Sequence, residues 1–316
     1  MSTVLKIKDL QVDFNVAGNV TNTPLRGINL EITSGQTLGI VGETGCGKTL
    51  TATAIMGLLP TTAVQRGVIE FAEHGQVTAT DMEDLRGSEI TMIFQNPQSA
   101  FNPIFTIGSQ LHMVAQRRKI ARNDIDQLLT SRLHSVGLND AQRVMNSYPH
   151  ELSGGMLQRC MIAMALISTP KLLIADEPTT ALDATIGHQV LGLIRALQQR
   201  EGFAMLFISH DVSAVAKVSD VMAVVYAGRV VESGPTQEVM NNPQHPYTRG
   251  LLGAIPSAQK PRGELTAIPG SVPSTLKDLT GCSFAARCSL ADETCEVEPP
   301  VVRLGQQEIA CWKAQP

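Results

Sequence analysis

The chain has 316 residues, 43% of them hydrophobic and 17% charged, with a formal net charge of −4. That length can bury a full core and carry more than one domain, and the charge gives no support to a nucleic-acid partner, which selects for a basic face. No apolar run approaches the ~18 residues needed to cross a bilayer, so the chain is expected to be soluble, with any membrane attachment made through a partner.

The opening Met1–Asp9 alternates apolar with charged residues, as a strand does, and lacks the unbroken apolar core of a signal peptide. Strands are expected at Val4–Ile7, Leu10–Phe14, Ile28–Ile32 and Thr37–Val41, separated by Gly and Asn. A helix follows over Lys48–Leu59, stopped by Pro60, then a short antiparallel stretch near Gly67–Phe71 and a buried strand at Ile90–Phe94. From Ile107 to Ile167 the pattern is helical, with polar faces such as Gln116–Lys119. Continuous apolar runs at Leu172–Ala175 and Ala204–Ile208 predict parallel strands covered on both faces. Helices fit at Thr185–Arg200 and Val212–Val218, and strands Val221–Tyr226 and Arg229–Glu232, joined by Ala227-Gly228, finish the sheet. After Asn242 proline recurs, at 243, 246, 256, 261, 269, 273, 299 and 300, and four of the six cysteines fall between 282 and 311. This segment is expected to be a separate appendage with little regular structure.

Gly42-Glu43-Thr44-Gly45-Cys46-Gly47-Lys48-Thr49 fits GxxxxGK[ST] between a strand and a helix, and the expected nucleotide contacts run from Gly42 through Leu50. Glycines let successive backbone N–H groups point at phosphates, and the helix N-terminus adds partial positive charge. Lys48 would reach the β/γ-phosphates and Thr49 would offer its hydroxyl to Mg²⁺. The run Lys171–Ala175 delivers Asp176 and Glu177 at the C-terminal end of a buried strand, the edge of a parallel sheet where ligands bind. Asp176 would hold Mg²⁺ through water and Glu177 would polarise the attacking water. Alone, such a run is more often a strand leaving the core; the phosphate loop reverses that preference. Gln95 at a strand exit and His210 after Ser209 say little by themselves, and gain value from their order among the other motifs.

In that order, with Leu152-Ser153-Gly154-Gly155-Met156-Leu157-Gln158-Arg159 just before the carboxylate strand, the chain resembles the nucleotide-binding subunits of ABC transporters over about residues 4–240. The resemblance implies an α/β fold over residues 1–242, a RecA-like core with an antiparallel β subdomain and a helical subdomain at about 100–168. It also implies Mg²⁺-dependent ATP hydrolysis. Phe14 matches the aromatic that stacks on adenine, although a core role competes. Gln95 matches the residue that contacts Mg²⁺ and couples to the membrane partner. Ser153, Gly154 and Gly155 match the signature that caps the γ-phosphate of ATP on the opposite subunit. Asp183 matches the loop that communicates across the dimer, and His210 the switch histidine on the γ-phosphate. Ser153 also suits an N-cap, leaving free N–H groups for an anion. Met156 stands where the signature often has glutamine and Cys46 where the loop often has serine; the loop works through its backbone, so binding is expected to survive both.

Asn242–Leu252, containing His245-Pro246-Tyr247, resembles the dipeptide/oligopeptide/nickel branch of importer ATPases, and Phe94–Pro103 agrees with it. That branch implies a second homologous ATPase subunit, two transmembrane permease subunits and an extracytoplasmic solute-binding protein. It also implies a peripheral place on the cytoplasmic face of the inner cell membrane. Cys282, Cys288, Cys295 and Cys311 are spaced C-x5-C-x6-C-x15-C, unlike the C-x2-C pairs of zinc ribbons. Four thiolates suit a [4Fe–4S] cluster, to which the resemblance also points; Zn²⁺ and unrelated thiols remain alternatives. A soluble ATPase of the same class acting on ribosomes or DNA would carry tandem nucleotide domains or long coiled-coil insertions, and a single motif set favours transport.

Overall fold

The computed structural model describes residues 2–16, 19–117, 120–255, 268–273 and 275–314. Two residues of one expected polar face, 118 and 119, and the prolines at 256 and 261 lie outside them. The chain separates into two units, residues 1–79 with 207–316, and residues 80–206.

In the first unit the strand Thr3–Val16 pairs antiparallel with Asn19–Thr33 on one side and Ala63–Phe71 on the other. The sequence pattern suggests two strands where one runs through. Its apolar positions change from odd (Leu5, Ile7) to even (Leu10, Val12), yet all four are buried. A register shift between Ile7 and Leu10, with Asp9 at φ 49°, inserts the extra residue that keeps them facing inward. Thr37–Val41, buried at every position, runs parallel to Val221–Tyr226, which turns through Ala227-Gly228 into Arg229–Pro235. Both turn residues have positive φ, 46° and 75°, as a two-residue hairpin of right-handed twist requires.

The helix after the phosphate loop spans Lys48–Ile55, shorter than expected. Gly57, at φ 63°, ends it in the left-handed conformation before Pro60 is reached. The C-terminal segment is more regular than its prolines suggest. Helices span Thr236–Asn241 and Pro246–Gly253, and Val301–Leu304 and Gln307–Ala310 form a hairpin whose second strand pairs with Arg229–Pro235. The alternation of Gln307 and Ile309 (buried) with Glu308 (exposed) is the strand signal, and Gly305 at φ 60° makes the turn.

In the second unit Ile90–Ile93 runs parallel to Leu172–Asp176, in register from Ile90↔Leu172 to Ile93↔Ala175. Around them lie helices Ile107–Arg117, Arg122–Ser135, Ala141–Asn146, Gly154–Leu166 and Ala184–Glu201. Gly154–Leu166 packs against four other helices and the Ile90–Ile93 strand, which explains why it is apolar nearly all round. Cys160, fully buried within it, has its thiol pushed up to about 12 by burial and is inert core. No described helix is long and apolar enough to cross a membrane.

Candidate nucleotide site

The phosphate loop belongs to the first unit. A Cβ on Gly42 would lie 2.2 Å from the Val225 carbonyl oxygen and 2.8 Å from Cys46 Sγ, so only glycine fits where the loop leaves its strand. Gly45 and Gly47 take φ 84° and 105°, turning consecutive peptides so that the chain can enter the helix at Lys48. The Lys48 ammonium is buried and donates to the carbonyls of Gly42 at 2.7 Å and Glu43 at 2.9 Å, spanning the loop. Cys46 is fully buried, and burial pushes its thiol up against the opposing pull of Lys48. A neutral small side chain is all that position needs. Thr44, Gly45 and Thr49 are exposed and Leu50 is half-buried. Phe14 is half-buried on the Thr3–Val16 strand. His210, exposed, follows the buried strand Ala204–Ser209.

The carboxylates belong to the second unit. Asp176, 3% exposed, ends its strand, and Glu177 follows at φ 47°. Parallel register carries Gln95 and Glu177 two residues past Ile93 and Ala175, and the Gln95 Nε2 donates to Glu177 Oε2 at 3.1 Å. The Thr180 hydroxyl donates to the same oxygen at 2.8 Å. Two donors thus hold the Glu177 side chain at its strand's exit. In the same unit Ser153 caps the helix Gly154–Leu166, its Oγ accepting from the Met156 N–H at 3.3 Å. Ser153 and Gly154 are exposed, so this helix end presents N–H groups to solvent. Asp183 caps the next helix by accepting from the Ile186 N–H at 2.9 Å. A Cβ on Gly155 would come within 2.9 Å of Ile186, so glycine lets the signature turn and the Asp183 turn lie side by side.

The C-terminal segment reaches the phosphate loop, a contact the sequence did not announce. Glu232, fully buried, accepts from the N–H groups of Gln244 at 2.8 Å and His245 at 2.9 Å, and burial raises its carboxyl above the usual range. His245 Nδ1 then accepts from the Tyr247 N–H at 3.0 Å, which starts the helix Pro246–Gly253. This places the Tyr247 hydroxyl 2.9 Å from the Glu43 N–H, as its acceptor. Arg287 makes a bidentate pair with the Glu43 carboxylate at 2.6 and 3.0 Å. Residues 204 and 244 positions apart carry no local signal of meeting; the His-Pro-Tyr motif was the available clue.

The four C-terminal cysteines lie close enough to act on one another: after burial, the charges of Cys295, Cys311 and Cys288 raise the Cys282 thiol further. Cys288 Sγ accepts from the Leu290 N–H at 3.4 Å and Cys311 Sγ from the Lys313 N–H at 3.3 Å. Such N–H···S bonds stabilise sulfur carrying negative charge.

These features define a phosphate-loop ATPase. The ABC transporter family model matches residues 25–180, and the oligopeptide/dipeptide transporter C-terminal region matches residues 231–295. The chain is 42% identical to the probable peptide ABC transporter ATP-binding protein y4tR of Sinorhizobium fredii, over 98% of this chain and 95% of that one. It is 40% identical to the dipeptide transport ATP-binding protein DppD of Bacillus subtilis, over 99% and 95%. Among solved structures, the dimeric ATP-binding cassette MJ0796 bound to ADP and phosphate shares the fold, with a TM-score of 0.63 and 23% identity over 73% of this chain and 98% of that one. The chain belongs to the ABC transporter family, in its oligopeptide/dipeptide branch, and is an ATP-binding, ATP-hydrolysing transport subunit. The relatives favour transport over the ribosome- or DNA-acting alternative.

Proposed function

We propose that this chain energises uptake of peptides, or of a related small solute, by closing around ATP with a second homologous subunit. The observation that carries this reading is the exposed, Ser153-capped helix end at Gly154. It offers N–H groups to an anion, and the γ-phosphate of ATP held by the opposite subunit is that anion. The loop from Gly42 to Leu50 takes the phosphates, and the positive-φ glycines at 45 and 47 let its backbone N–H groups turn toward them. Lys48 exchanges its loop carbonyls for the β/γ-phosphates, and Phe14 stacks on adenine. Thr49, Gln95 and Asp176 would hold Mg²⁺, which would neutralise phosphate charge. Glu177 polarises the attacking water, His210 holds the γ-phosphate, and Asp183 passes the state of one site to the other.

Two transmembrane permease subunits would receive the resulting motion at the cytoplasmic face of the membrane, fed by an extracytoplasmic solute-binding protein. The loop after Gln95 supports such docking. Buried Gln110 ties it down, accepting from the Asn102 N–H and donating to the Asn102 and Phe105 carbonyls, while Ile104 stays 72% exposed and Phe105 44%. A rigid loop presenting apolar side chains marks an interaction surface.

The domain reading is a nucleotide-binding domain over 1–242, its helical part at about 100–168, and a cysteine-bearing C-terminal domain over 243–316. Cys282, Cys288, Cys295 and Cys311 would hold a [4Fe–4S] cluster, with Zn²⁺ the alternative. The N–H groups aimed at two of the sulfurs suit thiolate ligands.

The test is co-expression with candidate permease subunits and a solute-binding protein, followed by uptake in vesicles. ATP-dependent accumulation of peptide retained by that binding protein is expected. A complex that hydrolyses ATP while moving no solute that the binding protein retains would overturn the import reading.

A further inference from the structure

Within the phosphate loop Glu43 is held at its N–H, its carbonyl and its carboxylate, and the C-terminal segment supplies the first and the last of these restraints. Its N–H donates to the Tyr247 hydroxyl at 2.9 Å, its carbonyl accepts from Lys48 at 2.9 Å, and its carboxylate is held by both arms of Arg287. Arg287 has five N–H donors and a partner for each. Besides the two Glu43 oxygens, Nε donates to the Pro269 carbonyl at 2.7 Å, Nη2 to the Gly270 carbonyl at 3.2 Å and Nη1 to the Tyr226 hydroxyl at 3.4 Å. Its side chain is 7% exposed against 29% for Glu43, and it lies over the rings of Tyr226 and Phe284 at 5.6 and 5.9 Å. Tyr226, Tyr247 and Phe284 pack ring on ring at 4.7 to 5.3 Å beneath it. A fork so fully used is a fixed post, and lysine could not replace it.

We propose that Arg287 and Tyr247 are positioning residues for the phosphate loop, so that ATP affinity depends on the C-terminal segment. Two physical effects add. Tyr247 takes the Glu43 N–H out of the set that can face phosphate, fixing which way that peptide points. Arg287 neutralises a carboxylate that stands within a loop built to receive a triphosphate; left unpaired, that charge repels the ligand, screened only in part by the solvent that reaches its side chain. Neither residue touches the nucleotide.

The test is titration of MgATP into the full-length chain, with kcat measured on the assembled transporter. Arg287→Met should raise the Kd for MgATP about tenfold and leave kcat at saturating ATP within about twofold. Adding Glu43→Gln to Arg287→Met should recover most of the lost affinity, because the repelling charge is gone. A merely structural role predicts no such rescue. Tyr247→Phe, which keeps the ring cluster, should weaken binding about threefold. If Arg287→Met does not fold, Arg287→Gln carries the same test: the single variant should weaken MgATP binding about tenfold and the Glu43→Gln/Arg287→Gln double variant should recover it. Wild-type affinity in a folded Arg287 variant, or a double variant as weak as the single one, would overturn the proposal.

Discussion

Gln95 and Glu177 meet because two parallel strands end in step. Ile93 lies opposite Ala175, each chain advances two residues, and the amide then donates to the carboxylate at 3.1 Å. Glu177 takes φ 47°, a conformation that costs a non-glycine residue roughly 1–3 kcal/mol. Strain of that kind survives where the surroundings impose it, and here Thr180 and Gln95 both hold the side chain.

Glu177→Gln should therefore keep ATP binding while lowering turnover by about 10² to 10⁴-fold, the usual worth of a general base. The amide is nearly isosteric and its oxygen still accepts from Gln95 and Thr180, so the loop geometry holds. Lys48→Ala should instead weaken ATP binding itself. Filter binding and phosphate release on the assembled complex separate the two. Wild-type turnover by Glu177→Gln, with the matching glutamate of the second subunit also replaced, would remove Glu177 from the chemistry.

On the proposed reading, the helix end capped by Ser153 meets ATP held by the opposite subunit. Ser153→Arg should leave this chain's ATP affinity within about twofold, and impair hydrolysis at the partner's loop, because a bulky cation replaces the cap and its free N–H groups. Site-resolved trapping of nucleotide in the two subunits reads the asymmetry. Equal loss of binding at both loops would contradict action across the dimer.

The elements that position this site were legible where chemistry is local. The phosphate loop, the carboxylate strand and the Ser153 cap each depend on neighbours within about eight residues, so a motif and a strand run suffice to find them. Val212–Val218 and Val221–Tyr226 appear at the expected bounds. The long strand through Asp9 was divided because a bulge changes the parity of the buried residues, which mimics a break. The hairpin Val301–Ala310 was hidden by the prolines before it. Arg287 on Glu43 could not be read at all: an ion pair between residues 244 apart leaves no periodicity in either segment.

His245 gives a stability test against pH. It is 2% exposed, and burial first, then Arg249, pushes its pKa down to about 3 from the ordinary 6.5. The folded state thus keeps the ring neutral while the unfolded chain protonates it below 6.5. Stability from this group is full above pH 6.5 and is lost progressively as pH falls toward 3. The melting temperature should drop between pH 6.5 and 5. His245→Asn, which can still accept from the Tyr247 N–H as a cap, should melt lower at neutral pH through lost packing, yet show a shallower acid slope. Identical slopes for both proteins would assign the acid sensitivity elsewhere.

The cysteine cluster separates two kinds of C-terminal segment. Its backbone is already tied in places: the Cys282 N–H donates to the Cys295 carbonyl at 2.8 Å, the Trp312 indole N–H to the Val297 carbonyl at 2.9 Å, and Lys313 pairs with Asp292. Apolar burial there is sparse, with Leu276, Phe284, Cys295, Ile309 and Cys311 the buried hydrophobic residues described from 276 onward. A segment so thin in core gains most from a ligand that joins four distant residues, since binding energy becomes folding energy. On the proposed cluster reading, protein purified without oxygen should be brown, absorbing broadly near ~400 nm, with about four irons per chain. Replacing Cys288 and Cys295 together by serine should remove the colour and speed proteolysis after residue 270. The phosphate loop keeps its glycine turns and Lys48 in that variant, so ATP binding should persist, weakened only as far as Arg287, one residue before Cys288, loses its hold on Glu43. Iron-free, colourless protein with one zinc per chain would replace the cluster by the zinc alternative, and protein free of both metals would leave four ordinary thiols.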